Sequence, residues 1–304
     1  MVDSTLRDAD RDALPVLQRI QAPLIWARLT TGIRIEDLQE KRFEEAIHLL
    51  KKYFIREETL CRASELADDP VSVESFIEVV LIWMRDMISL AAIEEGTGKL
   101  VGLVLNRVNG LLDHTRSFSR IRMMKGEAFN NVMELRCFMH KNFDVFEHYN
   151  VDQFFRFYGI CVKRSFRDKG VGMGLLKASL NLARLMGQTV AMGIFTCVQS
   201  QQMAEKLGMV MHYEIEYSQW IKNDDLVFDD PGAGNYSAML MAMRIPDVPP
   251  TNFVTEELQE AAKKRITPQV KEAWSETLLQ KETHSAVPHQ ESSVKSQSQQ
   301  GSKT

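Results

Sequence analysis

The chain has 304 residues, enough for one large domain or two small ones. Hydrophobic residues make up 44% of it and charged residues 26%, which is ordinary for a soluble globular protein. A net charge of −4 argues against general nucleic-acid binding, because such proteins usually carry a clear basic surplus, so no nucleic acid is expected as a partner.

Apolar residues that recur every two positions predict strands, and those that recur about every 3.6 positions predict helices, along most of the chain. In chain order we predict a strand at 23–30, helices at 38–54 and 73–87 (the second with Ser72 as N-cap), a hairpin of strands at 90–94 and 100–108, a helix at 127–149, a strand at 157–162, a helix at 171–186, a strand at 189–196, a helix at 199–207, and strands at 209–217 and 236–245. This order predicts one α/β domain, over residues 21–248. Residues 1–20 are expected to be flexible, and residues 249–304 are expected to form a polar tail, partly helical and then disordered.

The stretch from Phe157 to Leu176 indicates the chemistry. Its apolar run ends in a polar elbow, and Arg167-Asp168-Lys169-Gly170-Val171-Gly172 then opens a long apolar-periodic segment. Because the amino end of a helix has unpaired N–H groups and a partial positive charge, this turn suits a phosphate. The two glycines let the backbone approach an anion, and Arg167 and Lys169 add cationic donors. The alternative is an ordinary glycine-rich turn between a strand and a helix.

Residues from about 24 to 245 resemble the insect arylalkylamine N-acetyltransferase branch of the GCN5-related N-acetyltransferase (GNAT) superfamily. Four blocks carry the resemblance: FIREETL at 54–60, the Arg-x-x-Gly-x-Gly signature, SQQMAEKLGM at 200–209, and LVF at 226–228 followed by a last strand with Met241-Ala242. The resemblance implies the GNAT fold, a single central mixed β-sheet flanked by helices. It also implies acetyl-CoA as co-substrate and no metal.

A primary amine has a pKa of about 10 and must lose a proton before it attacks a thioester. In this branch a glutamate in a short acidic segment acts as the general base, and the resemblance implies that role for Glu58. Thr59 stands where the family has proline, and Glu57 is expected to face solvent. From periodicity alone, Glu58 would be an exposed charge at a helix end.

The branch also has two hydroxyls four residues apart, which here fall on Thr196 and Ser200. The resemblance implies that both belong to the catalytic site, with Ser200 binding substrate or donating a proton toward the CoA sulfur. The alternative is that Ser200 caps the helix that follows. Other superfamily members use a tyrosine near the position of Leu207, which this chain lacks, so Tyr213 and Cys197 are fallback donors.

The strand before the signature is expected to contact the cofactor. By resemblance Ile160, Cys161 and Val162 meet the pantetheine arm as a pseudo-strand, and a backbone N–H there polarises the thioester oxygen. Cys161 is not expected to be an acylated nucleophile, since direct transfer needs none. Near the last strand the family often has Pro-His, whereas this chain has Gly234-Asn235, which leaves the acceptor open.

Other classes of site are not indicated. The four cysteines show no C-x-x-C pair and suit a reducing compartment, and the seven histidines show no metal-ligand spacing. The first residues are acidic without an apolar core, and the most apolar window, 76–93, contains three charged residues. We therefore expect a cytoplasmic protein without a membrane partner.

The leading hypothesis is transfer of an acyl group from acetyl-CoA, or a longer acyl-CoA, to a small arylalkylamine-like primary amine by direct attack. One alternative is a CoA-binding paralogue with little or no turnover, suggested by Asn235. Another is acetylation of protein or polyamine amines.

Overall fold

The structure is a computed structural model that describes residues 23–111 and 123–247. The predictions for residues 1–20 and 249–304 lie outside these ranges. The strands are β1 (Ile25–Leu29), β2 (Ile33–Asp37), β3 (Leu90–Glu94), β4 (Leu100–Gly110), β5 (Gln153–Val162), β6 (Val190–Phe195), β7 (Val210–Glu216), β8 (Ile221–Lys222), β9 (Asp225–Leu226) and β10 (Ser237–Arg244). The α-helices are α1 (Phe43–Leu49), α2 (Ile55–Glu57), α3 (Thr59–Ala63), α4 (Pro70–Met84), α5 (Glu127–Asn142), α6 (Val145–Tyr149), α7 (Val171–Leu185) and α8 (Val198–Lys206), with a π-helical stretch at Leu50–Phe54.

Eight of the described strands form one mixed sheet in the order β1-β2-β3-β4-β5-β6-β10-β7. Neighbours are antiparallel except β5 and β6, which run parallel. Helices cover both faces of the sheet, because each face carries its own apolar cluster. The first cluster unites α1 to α6 with one face, and the second packs α7 and α8 on the other.

The parallel pair opens into a fork at the carboxyl ends of its strands. β5 and β6 pair only at Phe155–Ala191, Arg156–Met192 and Phe157–Gly193, and the described residues show no pairing between them further on. On the other side of β5, a bulge places Tyr158 as an extra residue opposite β4. The last five residues of β5 therefore leave backbone groups facing the fork.

The structure corrects three local predictions. Residues 33–37, to which the sequence analysis assigns no element, form β2, because Ile33 and Ile35 are buried and the segment pairs with β1 and β3. The second helix begins at Pro70 with Asp69 as N-cap, and the Ser72 hydroxyl instead accepts the Phe129 N–H of α5. The helix predicted at 127–149 is two helices, since the chain extends after α5 and Asp144 caps α6.

Gly193 lies at the base of the fork, and a larger residue there should destabilise the fold. A Cβ on it would lie 2.9 Å from the Phe195 ring and 3.3 Å from the Phe157 Cβ. We expect Gly193→Ala to lower the free energy of unfolding by about 1–3 kcal/mol, measured by urea denaturation. Gly96→Ala is the control, because its Cβ would meet nothing within 4 Å and its φ is not positive. Equal stability of the two variants would show that the base of the fork tolerates a side chain.

Candidate active site

Glu58 and Thr196 meet beside the fork, although they are 138 positions apart in the sequence. Glu58 has extended backbone and is the N-cap of α3, where its Oε2 accepts the Cys61 N–H at 2.9 Å. Its Oε1 accepts a hydrogen bond of 2.6 Å from the Thr196 hydroxyl, which follows directly on β6. A cap and a hydroxyl together thus orient a half-buried carboxylate.

Ser200 lies one helical turn from Thr196 but has other partners. Its hydroxyl donates to the Cys197 carbonyl at 2.8 Å and accepts the Cys197 N–H at 3.3 Å, and the Cys197 sulfur lies 3.2 Å away. Cys197 is the N-cap of α8, which begins at Val198. Ser200 therefore closes the first turn of α8 instead of preceding the helix as its cap, and the structure shows no bond from it to Glu58.

Asn235, which stands where the family pattern has histidine, also holds the amino end of α8. Its Oδ1 accepts the Val198 N–H at 3.1 Å, and its Nδ2 donates to the Pro231 carbonyl at 2.9 Å. The departure from the family pattern thus has a structural role next to Thr196.

Tyr217 is a residue of this site that the sequence analysis missed. Its hydroxyl donates to the Thr196 carbonyl at 2.6 Å, and the side chain is buried. Burial, with the charge of Glu58 as a second cause, raises the pKa of the Tyr217 hydroxyl far above its usual value, so it stays a neutral donor. In the sequence it is only the end of an apolar run, and nothing in its spacing distinguishes it.

Tyr213, a fallback donor in the sequence analysis, lies elsewhere. It lines a cavity of about 370 Å³ with Phe138, Ile215 and Trp220. The backbone N–H of Trp220 donates to the Tyr217 carbonyl at 3.1 Å, so one wall of this cavity belongs to the same short turn as Tyr217.

The glycine turn precedes α7 as predicted from the sequence. Gly170 has φ +76° and caps α7, and a Cβ on it would meet nothing within 4 Å. Among the described residues no side chain caps this helix, so its first N–H groups stay open to a ligand. Gly172 differs, because its Cβ would lie 3.2 Å from the Met203 sulfur. This second glycine allows α7 to pack on α8.

Arg167 lies across the end of β5 and is held by two acceptors. Its Nε donates to the Val162 carbonyl at 2.9 Å, and its Nη2 pairs with Glu57 at 2.5 Å. Glu57 also pairs with Arg164 at 2.8 Å, so its side chain is only 18% exposed and the expectation that it faces solvent is wrong. Next along the chain, Asp168 has φ +59° and Lys169 lies over the Phe166 ring. The turn thus carries cationic side chains that are held in place by contacts within the protein.

The β5 residues predicted to contact the cofactor, Ile160, Cys161 and Val162, lie beyond the last paired position of β5 and β6. Burial raises the pKa of the Cys161 thiol to about 12, which keeps it protonated and a poor nucleophile near neutral pH. Val171 is the first residue of α7 and is buried.

No protein-family model and no curated protein matches this chain in sequence. In structure it matches the protein designated arylalkylamine N-acetyltransferase 7 of the yellow fever mosquito Aedes aegypti, at 25% identity and a TM-score of 0.63, over 74% of this chain and 96% of that one. The chain has the GNAT fold. The resemblance to the insect arylalkylamine branch, and the mixed sheet it implied, are confirmed.

Two further GNAT structures agree in fold. Arylalkylamine N-acetyltransferase 2 of Aedes aegypti matches at 24% identity and a TM-score of 0.66, over 71% of this chain and 100% of that one. A polyamine N-acetyltransferase of Drosophila melanogaster matches at 17% identity and a TM-score of 0.62, over 70% of this chain and 99% of that one.

Within residues 23–111 and 123–247, no helix has the length and apolarity needed to cross a membrane. The same residues hold no group of three His, Cys, Asp or Glu side chains suited to a metal.

The role of Asn235 can be tested by stability. Asn235→Ala removes the acceptor for the first N–H of α8, so we expect the free energy of unfolding to fall by about 0.5–2 kcal/mol in urea denaturation. Asn235→Asp keeps an oxygen acceptor and adds a negative charge at a helix amino end, and should lose less. Equal losses in both variants would argue that the Val198 contact contributes nothing.

Proposed function

We propose that this GNAT protein is an acetyl-CoA-dependent N-acetyltransferase of small primary amines, acting in the cytoplasm. The observation that carries the proposal is the Glu58–Thr196 hydrogen bond beside the fork between β5 and β6. The similarity at 25% identity to a designated arylalkylamine N-acetyltransferase supports the activity class. Direct attack on the thioester is the mechanism that this arrangement favours.

Glu58 is proposed as the general base. Its carboxylate has one oxygen held by the Cys61 N–H and the other by the Thr196 hydroxyl, which fixes its direction while leaving it half-buried. A carboxylate so placed can take the amine proton, directly or through water. Thr196 is then a positioning residue. At the start of α8, the Ser200 hydroxyl is proposed to donate a proton to the departing CoA thiolate, with the Cys197 thiol as the fallback donor.

Acetyl-CoA is proposed to bind along the fork. Its pantetheine arm would pair with the free backbone of Ile160 to Val162, and its diphosphate would meet the open N–H groups at the start of α7. Arg167 and Lys169 supply positive charge there. Their neighbourhood, from Lys163 to Lys169, holds four cationic side chains, and the carboxylates there are Asp168 and the paired Glu57.

An arylalkylamine is the acceptor class proposed for the amine side. The aromatic cavity of Phe138, Tyr213 and Trp220 is large enough for one ring, and Trp220 follows three residues after Tyr217, whose hydroxyl contacts Thr196. This supports an acceptor with an aromatic end and a reactive amine near Glu58.

Replacing the base should abolish most turnover without affecting the cofactor. We expect Glu58→Gln to lower kcat by about 10²–10⁴-fold, because the amine then lacks a positioned base. Thiol release from acetyl-CoA over an amine panel measures turnover, and calorimetry measures CoA affinity, which should stay within about threefold. Glu65→Gln, an exposed carboxylate on the same segment, is the matched control. Saturable CoA binding with no amine consumed by the wild type would favour a paralogue without turnover.

Removing Arg167 should weaken CoA binding. A charge-assisted hydrogen bond contributes about 1.5–3 kcal/mol, so Arg167→Ala should raise the Kd for CoA by about 10–100-fold in calorimetry. Raising the salt concentration should reduce that difference. Arg85→Ala removes an exposed arginine at the end of α4 and should leave the Kd unchanged. An unaltered Kd for Arg167→Ala would remove Arg167 from the diphosphate site.

A further inference from the structure

Two arginines are buried beneath α5, on the Glu58 side of the sheet. Arg136, on α5, is 8% exposed, and Arg156, on β5, is 7% exposed. The Arg136 Nη1 donates to the Tyr158 carbonyl at 3.0 Å, and the Arg156 guanidinium lies 4.2 Å from the centre of the Tyr158 ring. Both cations therefore surround the bulged residue at which the fork opens.

Neither guanidinium has a carboxylate partner among the described residues. The ion pairs found among the described residues all involve side chains other than Arg136 and Arg156. The Nε atoms of both arginines are buried and have no hydrogen-bond acceptor among the residues that the structure describes. Burial, with Arg136 as a further cause, lowers the pKa of Arg156. Buried charge without a counter-charge is strongly unfavourable, so two such cations in contact with one residue, Tyr158, favour the binding of an anion there.

Arg136 connects this pair to the candidate active site. It lies on α5, which packs against α3, the short helix that Glu58 caps and that contains Cys61. Its positive charge also lowers the pKa of the Cys61 thiol and of the Tyr217 hydroxyl, against the burial that raises both. Cys61 donates its N–H to Glu58, and Tyr217 donates its hydroxyl to the Thr196 carbonyl. An anion held by the two arginines would thus lie beside the reacting groups.

We propose that Arg136 and Arg156 bind a carboxylate carried by one of the two reactants. The carboxylate belongs either to the acceptor, as in an amino acid, or to the acyl group, as in a dicarboxylic acyl-CoA. A guanidinium offers paired N–H donors that match a carboxylate, and the two orphaned Nε atoms supply donors of that kind. This inference refines the substrate class of the proposed acyltransferase and rests on that function.

Turnover with matched reactants tests the proposal and separates the two sources. One arm compares tyrosine with tyramine, tryptophan with tryptamine and β-alanine with propylamine, all with acetyl-CoA. The other compares succinyl-CoA with acetyl-CoA, using the amines without a carboxylate. In one arm the carboxylate should raise kcat/KM at least about tenfold, and Arg156→Met should remove that preference while Arg156→Lys retains part of it. A preference for the uncharged member in every pair, or equal losses for both members in Arg156→Met, would overturn the proposal.

A binding measurement keeps the proposal distinct from the acyltransferase function. The probes are succinate and 3-(4-hydroxyphenyl)propionate, with 4-ethylphenol as the neutral control. Either carboxylate at ten times its Kd should raise the wild-type Tm by about 3–6 °C, and 4-ethylphenol should not. Arg156→Met and Arg136→Met should lose the shift, and Arg156→Met should have a ligand-free Tm at or above that of the wild type, because an unpaired charge is gone.

The outcomes separate the two ideas. A rise in Tm with a carboxylate probe but no amine turnover would contradict the acyltransferase function and support the anion site. No shift in the wild type, together with a lower Tm in Arg156→Met, would overturn the anion site, because the arginines would then be paired by an acid of the chain itself.

Discussion

The incomplete pairing of β5 with β6 is the constraint on which the rest of the site depends. Parallel strands normally continue their hydrogen bonds, and an interior strand with free backbone groups needs another partner. Here the pairing ends at Phe157 and Gly193, next to the bulge at Tyr158. The fork exposes backbone donors and acceptors inside a sheet that is otherwise closed on both faces by helices.

Groups from distant parts of the chain converge on this fork. The glycine turn follows β5, Thr196 follows β6, and the segment before α3 brings Glu58 across to Thr196. The same segment carries Glu57, which pairs with Arg164 and Arg167 on the turn. Adjacent glutamates thus link the proposed base to the proposed phosphate site.

The loop before β10 has a structural task at this site. Asn235 holds the start of α8, and Asp230 pairs with Arg62 on α3. Both contacts tie the loop to elements that carry Glu58 or follow Thr196. The loop is therefore fixed to both sides of the candidate site.

Much of this was determined by the sequence itself. Apolar periods located most strands and helices because local burial patterns repeat every two or 3.6 residues, and the Arg-x-x-Gly-x-Gly turn marked the start of α7. Only the tertiary structure decided the rest. The segment of β2 has no clear pattern of its own and becomes a strand because it pairs with β1 and β3. Contacts between residues far apart in the chain decide the role of Tyr217, the partners of Glu57 and the burial of Arg136 and Arg156. Such contacts leave no periodic signal, because hydrogen bonds and charges act through space.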